Sequence, residues 1–392
     1  MTSLVGNQSV CRYGHRYAWR PTARGTCARR SCNRRVLVRA EVSKQKVVAV
    51  LYKAGKAAEN KKLLGCVENE LGLRQFLEEQ GHEYIVTDDK EGENSELDKH
   101  LEDANILIST PFHPAYLTKE RIQKAKNLKL SITAGVGSDH VDLHAAADSG
   151  MTVAEVTGSN VVSVAEHVIM LILSLVRNYL PAHKQITDGG WDIGAAASKA
   201  YDLENKVVGV VGTGRIGQLV LARLKPFECS EVLYFDYKHL GEEKEQELGC
   251  KFAEMDDLIK KCDVITVNLP LTDKTKNMFN KELLGKMKKG AWLVNTARGG
   301  ICERDAIVEA LESGQLGGYA GDVWNPQPPA EDHPWRTMPN HGMTPHYSGT
   351  TLDAQARYAD GTKKMLQSWF DEKDFPEKWY IVREGELADQ YK

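Results

Sequence analysis

Six residues, Gly212-Thr213-Gly214-Arg215-Ile216-Gly217, constrain this chain more than any other stretch, because of what stands on either side of them. An apolar run, Lys206–Val211 (KVVGVV), leads straight into the first glycine, and a helical stretch, Gln218–Pro226, follows the last. A second apolar run, Val232–Phe235, then ends at Asp236, about twenty residues past the loop. Gly-x-Gly-x-x-Gly alone is a weak signal. Between a strand and a helix it is the turn of a dinucleotide-binding βαβ unit: the glycines let the backbone approach a pyrophosphate, whose charge sits at the helix N-terminus. Gly212, Gly214, Arg215, Ile216 and Gly217 are therefore expected cofactor contacts. Asp236 would accept from the adenosine ribose and repel a 2′-phosphate, which favours NAD over NADP. Lys238 and His239 stand close enough to weaken that preference, or else lie in a solvated turn.

The same alternation of short apolar runs with amphipathic stretches continues from Lys46 to Trp369, which predicts an α/β protein with parallel sheets. Lys46–Lys53, Ile106–Ser109 and Leu130–Ala134 form one series of strands. Lys206 opens another, continued by Asp263–Pro270 and Trp292–Gly299, whose C-terminal ends face the cofactor crevice and place Pro270, Leu271 and Thr296 near a bound nucleotide. Val164–Asn178 is apolar nearly all round and should be a buried helix at a domain interface. His167 on that helix reads as a satisfied interface or core histidine. Met365–Phe370 looks like an amphipathic helix that returns to the first domain, which would make that domain discontinuous. The expected fold is two doubly wound domains: a substrate domain of flavodoxin-like form over residues 41–159 and 348–392, and a Rossmann domain over 160–347. Catalytic groups belong in the cleft between them.

Residues 1–40 hold nine arginines and no Asp, Glu or Lys, the character of an organelle transit peptide, though a basic tail that binds anionic partners has the same composition. Subtracting those nine charges from a net of −3 leaves −12 on the remainder, which gives no electrostatic case for nucleic acid. No apolar run approaches a membrane span. Cys11, Cys27 and Cys32 fall in the leader and the other five of the eight cysteines are scattered, so neither a metal site nor a disulfide framework is expected.

Arg298 closes one strand of the second series, where a bidentate guanidinium can hold a carboxylate against a nicotinamide. The alternative for it is an ion pair with Asp322 or Glu303. Around it the chain resembles the NAD-dependent formate dehydrogenases of the D-2-hydroxyacid dehydrogenase superfamily. The resemblance rests on Thr110–Tyr116 (TPFHPAY), Thr133–Asp142 (TAGVGSDHVD), Asn160–Glu166, Asn295–Gly299, Gly321–Pro328 (GDVWNPQP), Asp332–Arg336 and Met343–Thr351 (MTPHYSGTT). It implies that Arg298 anchors the substrate, that Asn160 holds its other oxygen, and that His346 pairs with Gln327. It also implies that Val136 contacts substrate through its backbone and that Pro111 and Phe112 form an apolar wall. Val161, Thr272, Asp273, Lys274, Asp322, His346, Ser348 and Gly349 are further cofactor contacts by the same resemblance.

Gln327 carries the chemistry. Relatives that act on hydroxy acids place a glutamate there, which raises the pKa of the histidine and lets it move a hydroxyl proton; a neutral amide can only orient the ring. The substrate therefore has no hydroxyl to deprotonate. Formate fits, since its carboxylate is already ionised and its oxidised product is neutral. The expectation is oxidation of formate to CO2 with NAD, without metal, in a homodimer located in the mitochondrion, the chloroplast being the alternative. Competing readings are a 2-oxo acid reductase for glyoxylate or hydroxypyruvate, against which Gln327 speaks, and a non-catalytic NAD-sensing corepressor-type scaffold.

Overall fold

The computed structural model describes residues 44–389, so the leader expected over residues 1–40 lies outside the described residues. The chain opens with β1 (Lys46–Val50), β2 (Glu83–Thr87), β3 (Ile106–Ser109), β4 (Leu130–Thr133) and β5 (Thr152–Glu155). It continues through β6 (Val207–Val211), β7 (Glu231–Phe235), β8 (Lys251–Phe252), β9 (Val264–Val267), β10 (Ala291–Asn295), β11 (Leu316–Gly321) and β12 (His341–Met343), and closes on β13 (Tyr380–Arg383) and β14 (Glu386–Leu387).

These strands make two sheets, ordered β14-β13-β5-β4-β3-β1-β2 and β12-β11-β10-β9-β6-β7-β8. In both the strand order reverses beside a central strand, β1 between β3 and β2 and β6 between β9 and β7, the arrangement whose carboxyl ends open a crevice for ligands. The periodicity explains why the strands read as continuous apolar runs. Along β1, Val47 and Ala49 pack on one face with Ile106, Ile108 and Tyr358, while Val48 and Val50 pack on the other with Leu107, Leu117 and Ile381. Along β6, Val211 joins one core and Val208 with Val210 the other. Both faces are covered, so neither needs polar residues.

The first sheet carries an edge that the sequence did not disclose. β13 runs antiparallel to β5 and pairs with β14 as a hairpin. The C-terminal segment that follows the long helix is therefore itself part of the first sheet.

Three helices have limits that differ from expectation. The helix after the glycine loop is Arg215–Leu224, three residues earlier than Gln218, because Gly214 adopts an extended N-cap conformation and Arg215 is already helical. The last helix is Leu352–Phe370, capped by Thr351 Oγ1 accepting from the Ala354 amide. Its first half hid from an apolar pattern because the buried face there is Ala354, Gln355, Tyr358, Ala359, Gly361 and Thr362, mostly small or polar. It packs on the core of the first sheet through Tyr358, Met365, Leu366 and Phe370. The apolar helix is Val161–Val176, with His167, Leu171, Ile172 and Leu175 among its buried residues. No single helix among the described residues is long and apolar enough to cross a membrane.

Candidate active site

The groups expected to act on substrate all follow the carboxyl ends of strands: Pro111 and Phe112 after β3, Val136 after β4, Asn160 after β5, Arg298 after β10, Gln327 after β11 and His346 after β12. Strand direction brings three of these loops to the carboxyl end of each sheet, and the packing of the two sheets sets those ends together. Direct bonds then join the two sides.

One such bond fixes the imidazole. His346 Nδ1 lies 2.7 Å from Gln327 Oε1, and Gln327 Nε2 donates to the Pro111 carbonyl across the cleft at 3.3 Å. A carbonyl can only accept, so the amide must turn its nitrogen to Pro111 and its oxygen to the imidazole. Nδ1 then carries the proton, and the neutral ring presents an unprotonated Nε2. Burial pushes the His346 pKa down to about 4; the Arg298 guanidinium pushes the same way, against the carboxylates of Asp322 and Asp139. The ring is therefore neutral at ordinary pH. Phe112 stands edge-on to it, 5.5 Å between centroids.

The loop carrying His346 is held by Asp322. This carboxylate is wholly buried and accepts from Thr344 Oγ1 at 2.6 Å, the Tyr347 amide at 3.0 Å and the Ser348 amide at 2.7 Å. Three donors on both sides of a histidine at φ 54 keep it in a left-handed conformation that a non-glycine residue rarely adopts. Asp322, a cofactor contact by resemblance, thus also anchors this turn. His167 belongs to the same network through Thr344 Oγ1 at 3.2 Å, with its ring edge-on to Tyr347 at 4.8 Å.

Arg298 pairs with Asp139. Its Nε and Nη2 lie 2.8 and 2.7 Å from Asp139 Oδ1, and Nη1 donates to the Ala297 carbonyl. Asp139 was missed because it sits 159 residues away, in the loop after β4, and nothing in a single sequence couples the two positions. Burial by itself would raise the Asp139 pKa, but the adjacent guanidinium overrides it and holds the carboxyl at about 2. The side chain is nonetheless one third exposed. The two facts agree if the pair lies on the wall of a concave, solvent-open cleft, surrounded by protein on most sides.

Gly137 makes room for that arginine: a Cβ added there would stand 1.7 Å from Arg298 Nη2, and the backbone is at φ +111. Behind it, Glu155 Oε2 accepts from the Gly137 amide at 2.8 Å and Ser138 Oγ at 3.2 Å. Burial raises the Glu155 pKa, while those donors and Arg298 oppose the rise.

Asn160 is the N-cap residue of Val161–Val176 yet makes no side-chain capping bond. Its Oδ1 is buried without a hydrogen-bond partner among the described residues. A buried amide left unsatisfied is costly, and a ligand is one way to complete it. Gly349 closes over this amide, since a Cβ there would lie 2.6 Å from Nδ2.

The glycine loop fits a nucleotide by the same kind of test. A Cβ at Gly217 would stand 2.0 Å from the Gly212 carbonyl, so the first helical turn can pack on the loop only with glycine; at Gly214 a Cβ would meet nothing, leaving open space at the helix N-terminus. Asp236 ends its strand half-buried. Thr272 belongs to a tight turn in which Thr275 Oγ1 donates to the Pro270 carbonyl at 2.7 Å. Leu271 is half-buried against the second sheet's core, Asp273 and Lys274 are exposed, and Thr296 is buried directly before the Arg298 loop. A cavity of about 440 Å³ lined by Lys206, Asp263, Ala291, Leu316 and His341 lies at the opposite, amino end of the second sheet. The chemistry belongs to the open cleft, where the converging polar groups are.

The family described as "D-isomer specific 2-hydroxyacid dehydrogenase, NAD binding domain" matches residues 169–348. The chain is 61% identical over 350 residues to the chloroplastic/mitochondrial formate dehydrogenase of Arabidopsis thaliana, covering 89% of this chain and 91% of the relative. A formate dehydrogenase structure from Granulicella matches with a TM-score of 0.85 at 50% identity, covering 88% of this chain and 99% of the other. The NAD-dependent formate dehydrogenase of Staphylococcus aureus, solved in complex with NAD, matches with a TM-score of 0.81 at 50% identity, covering 86% and 99%.

Proposed function

This chain belongs to the NAD-dependent formate dehydrogenases of the D-2-hydroxyacid dehydrogenase family, and from that premise we propose how its residues carry out the reaction. The protein oxidises formate to CO2 with NAD as hydride acceptor. When bound, NAD would supply the acceptor for the hydride of the formate C–H bond. No proton is released from the substrate, because formate enters already ionised and leaves as a neutral molecule.

The chain's own groups divide the work as follows. Arg298 binds the anion, its Nε edge being held by Asp139. Asn160 supplies the N–H donor of its side-chain amide for the second oxygen. The neutral His346 ring, locked in one tautomer by Gln327 and through it by Pro111, neither gives nor takes a proton and serves to orient the substrate. Phe112 and Pro111 exclude water on one side, which strengthens the few charged contacts and leaves CO2 without a hold. Gly212, Gly214, Gly217 and Asp236 would cradle the dinucleotide, with Pro270, Leu271, Thr272, Thr296, Ser348 and Gly349 around its nicotinamide half.

The observation that carries this reading is the Gln327–His346 bond: an amide oxygen where a hydroxy-acid enzyme needs a carboxylate. The test is NADH formation with formate set against NADH consumption with glyoxylate and hydroxypyruvate. Formate turnover with neither oxo acid reduced supports it, and oxo-acid reduction exceeding formate oxidation overturns it.

We also propose that the two sheets are separate domains, 41–159 with 348–392 and 160–347, and that the protein is a homodimer. Tyr179, Leu180 and Ile186 on helix Tyr179–Thr187, Ile193 on helix Ile193–Ala197 and Trp191 in the link between the two are exposed, Trp191 by 80% and Ile193 by 70%. Clustered aromatic and aliphatic side chains of that kind mark an interface. Sedimentation of the wild type against Trp191→Asp tests it, a monomeric wild type being the contrary result. The Arabidopsis relative is named chloroplastic/mitochondrial; the destination of this protein is the mitochondrion, with the chloroplast as the alternative.

A further inference from the structure

The second residue of the glycine loop does something that the fingerprint does not ask of it. Thr213 is almost fully buried, 5% exposed. Its amide donates to Asp236 Oδ2 at 2.6 Å and its hydroxyl lies 3.0 Å from the same oxygen. Thr213 is itself fixed, since Gln218 Nε2 donates to its carbonyl at 2.8 Å and the adjoining Gly212 amide donates to the Phe235 carbonyl at 2.9 Å.

A carboxylate offers about two acceptor sites per oxygen. Two donors on Oδ2 use both of its sites. Oδ1 carries only a long contact from the Lys238 amide at 3.4 Å, so it is the oxygen left for a ligand. The hydroxyl thus does two things to Asp236: it stops the carboxylate from turning about its side-chain bonds, and it decides which oxygen faces the half-open side of the strand end. A β-branched residue suits this task because its χ1 is stiff.

We propose that Thr213 is a specificity-determining residue for the nucleotide, and that its hydroxyl sets the strength of NAD over NADP discrimination by locking Asp236. A ribose with a free 2′-hydroxyl donates to the fixed Oδ1. A 2′-phosphate brings negative charge to a carboxylate that cannot rotate out of its way. Without the hydroxyl, the backbone amide alone retains the carboxylate, which can swing toward Lys238 or solvent and so admit the phosphate. This rests on the NAD-dependent reading above, and goes beyond it in assigning part of the preference to a residue that touches Asp236 rather than the ribose.

The experiment measures Kd for NAD and for NADP by calorimetric titration on the full chain without formate, so that failure of the formate reading leaves it intact. Thr213→Val removes the hydroxyl and keeps the shape, Thr213→Ser keeps the hydroxyl, and Thr213→Ala stands in if the valine variant does not fold. The expected result is that the ratio of the two Kd values shrinks about tenfold in Thr213→Val, the scale of one lost bond to a charged acceptor, and stays within about twofold in Thr213→Ser. On an Asp236→Gln background, Thr213→Val should then change the ratio no further. An unchanged ratio in Thr213→Val, an equal change in Thr213→Ser, or full additivity with Asp236→Gln each overturns the proposal. The same ratio taken from kcat/KM with formate provides an independent reading.

Discussion

Arg298 reaches from the end of β10 to the loop after β4 and sets Nε and Nη2 on a single oxygen of Asp139, at 2.8 and 2.7 Å. The arginine that is to bind an anion is thus already paired with one. Asp139 keeps the guanidinium in place and also offsets part of its charge, and the two effects oppose each other in substrate affinity.

Asp139→Asn separates them. The amide oxygen can still accept from Nε, so position is kept while the competing charge is removed. Removing a unit charge several ångströms from the bound anion in a solvent-open cleft is worth about 1 kcal/mol. The formate KM should fall about fivefold, and azide should inhibit at correspondingly lower concentration. A raised KM would show that the charge matters more for holding Arg298 than for opposing formate.

Gly137→Ala attacks the same arginine sterically. The new methyl would stand 1.7 Å from Nη2 at a backbone φ of +111, so both the side chain and the turn must shift. Formate kcat/KM should fall at least about a hundredfold, the scale of a displaced bidentate anchor, and Arg298→Ala should fall further. The Kd for NAD should change little. Retention of normal kcat/KM in Gly137→Ala would mean that Arg298 binds formate from another position.

Gln327→Glu converts an orienting amide into a carboxylate. In the wild type, burial holds the His346 pKa down to about 4, so its contribution to the rate should be flat from about pH 6 to 9. The new carboxylate favours the protonated ring and raises that pKa. Formate oxidation should fall, and should decline further as pH rises through the new pKa, where the pair becomes net negative beside an anion site. Superimposable pH profiles for the two proteins would leave Gln327 as a loop residue only.

Acid stability follows from the same burial. His140, buried with Nε2 lacking a hydrogen-bond partner among the described residues, and His346 both have pKa values of about 4, lowered by burial first. The folded state holds both rings neutral while the unfolded chain takes up protons near the ordinary histidine value of about 6.5. Their stability contribution is complete above that pH and is lost as pH falls from about 6.5 to 4, by at most about 3 kcal/mol each. His140→Asn should flatten the fall of Tm over that window. An equally steep fall in the variant would assign acid sensitivity to other groups.

Local chemistry determined much of this from sequence. The strand, glycine loop, helix and terminal Asp236 form one contiguous unit, so their spacing alone defines a dinucleotide turn. Two-sided burial writes continuous apolar runs, which read as parallel strands. Gln327 and His346 were legible as a pair because both belong to recognisable loop motifs. What separates residues along the chain was not legible. The Asp139 partner of Arg298, the Pro111 carbonyl that sets the Gln327 amide, and the antiparallel pairing of β13 with β5 all join segments more than a hundred residues apart. The role of Asp322 in holding the His346 turn was not legible either, because only the folded loop brings three donors to its oxygens. Nothing in the glycine fingerprint singles out Thr213, because its contact with Asp236 forms only when the sheet brings the two together. Sequence determined which chemical groups the chain carries and the local turns that hold them; the packing of two sheets decided which group faces which, because that depends on strand order and loop closure across space.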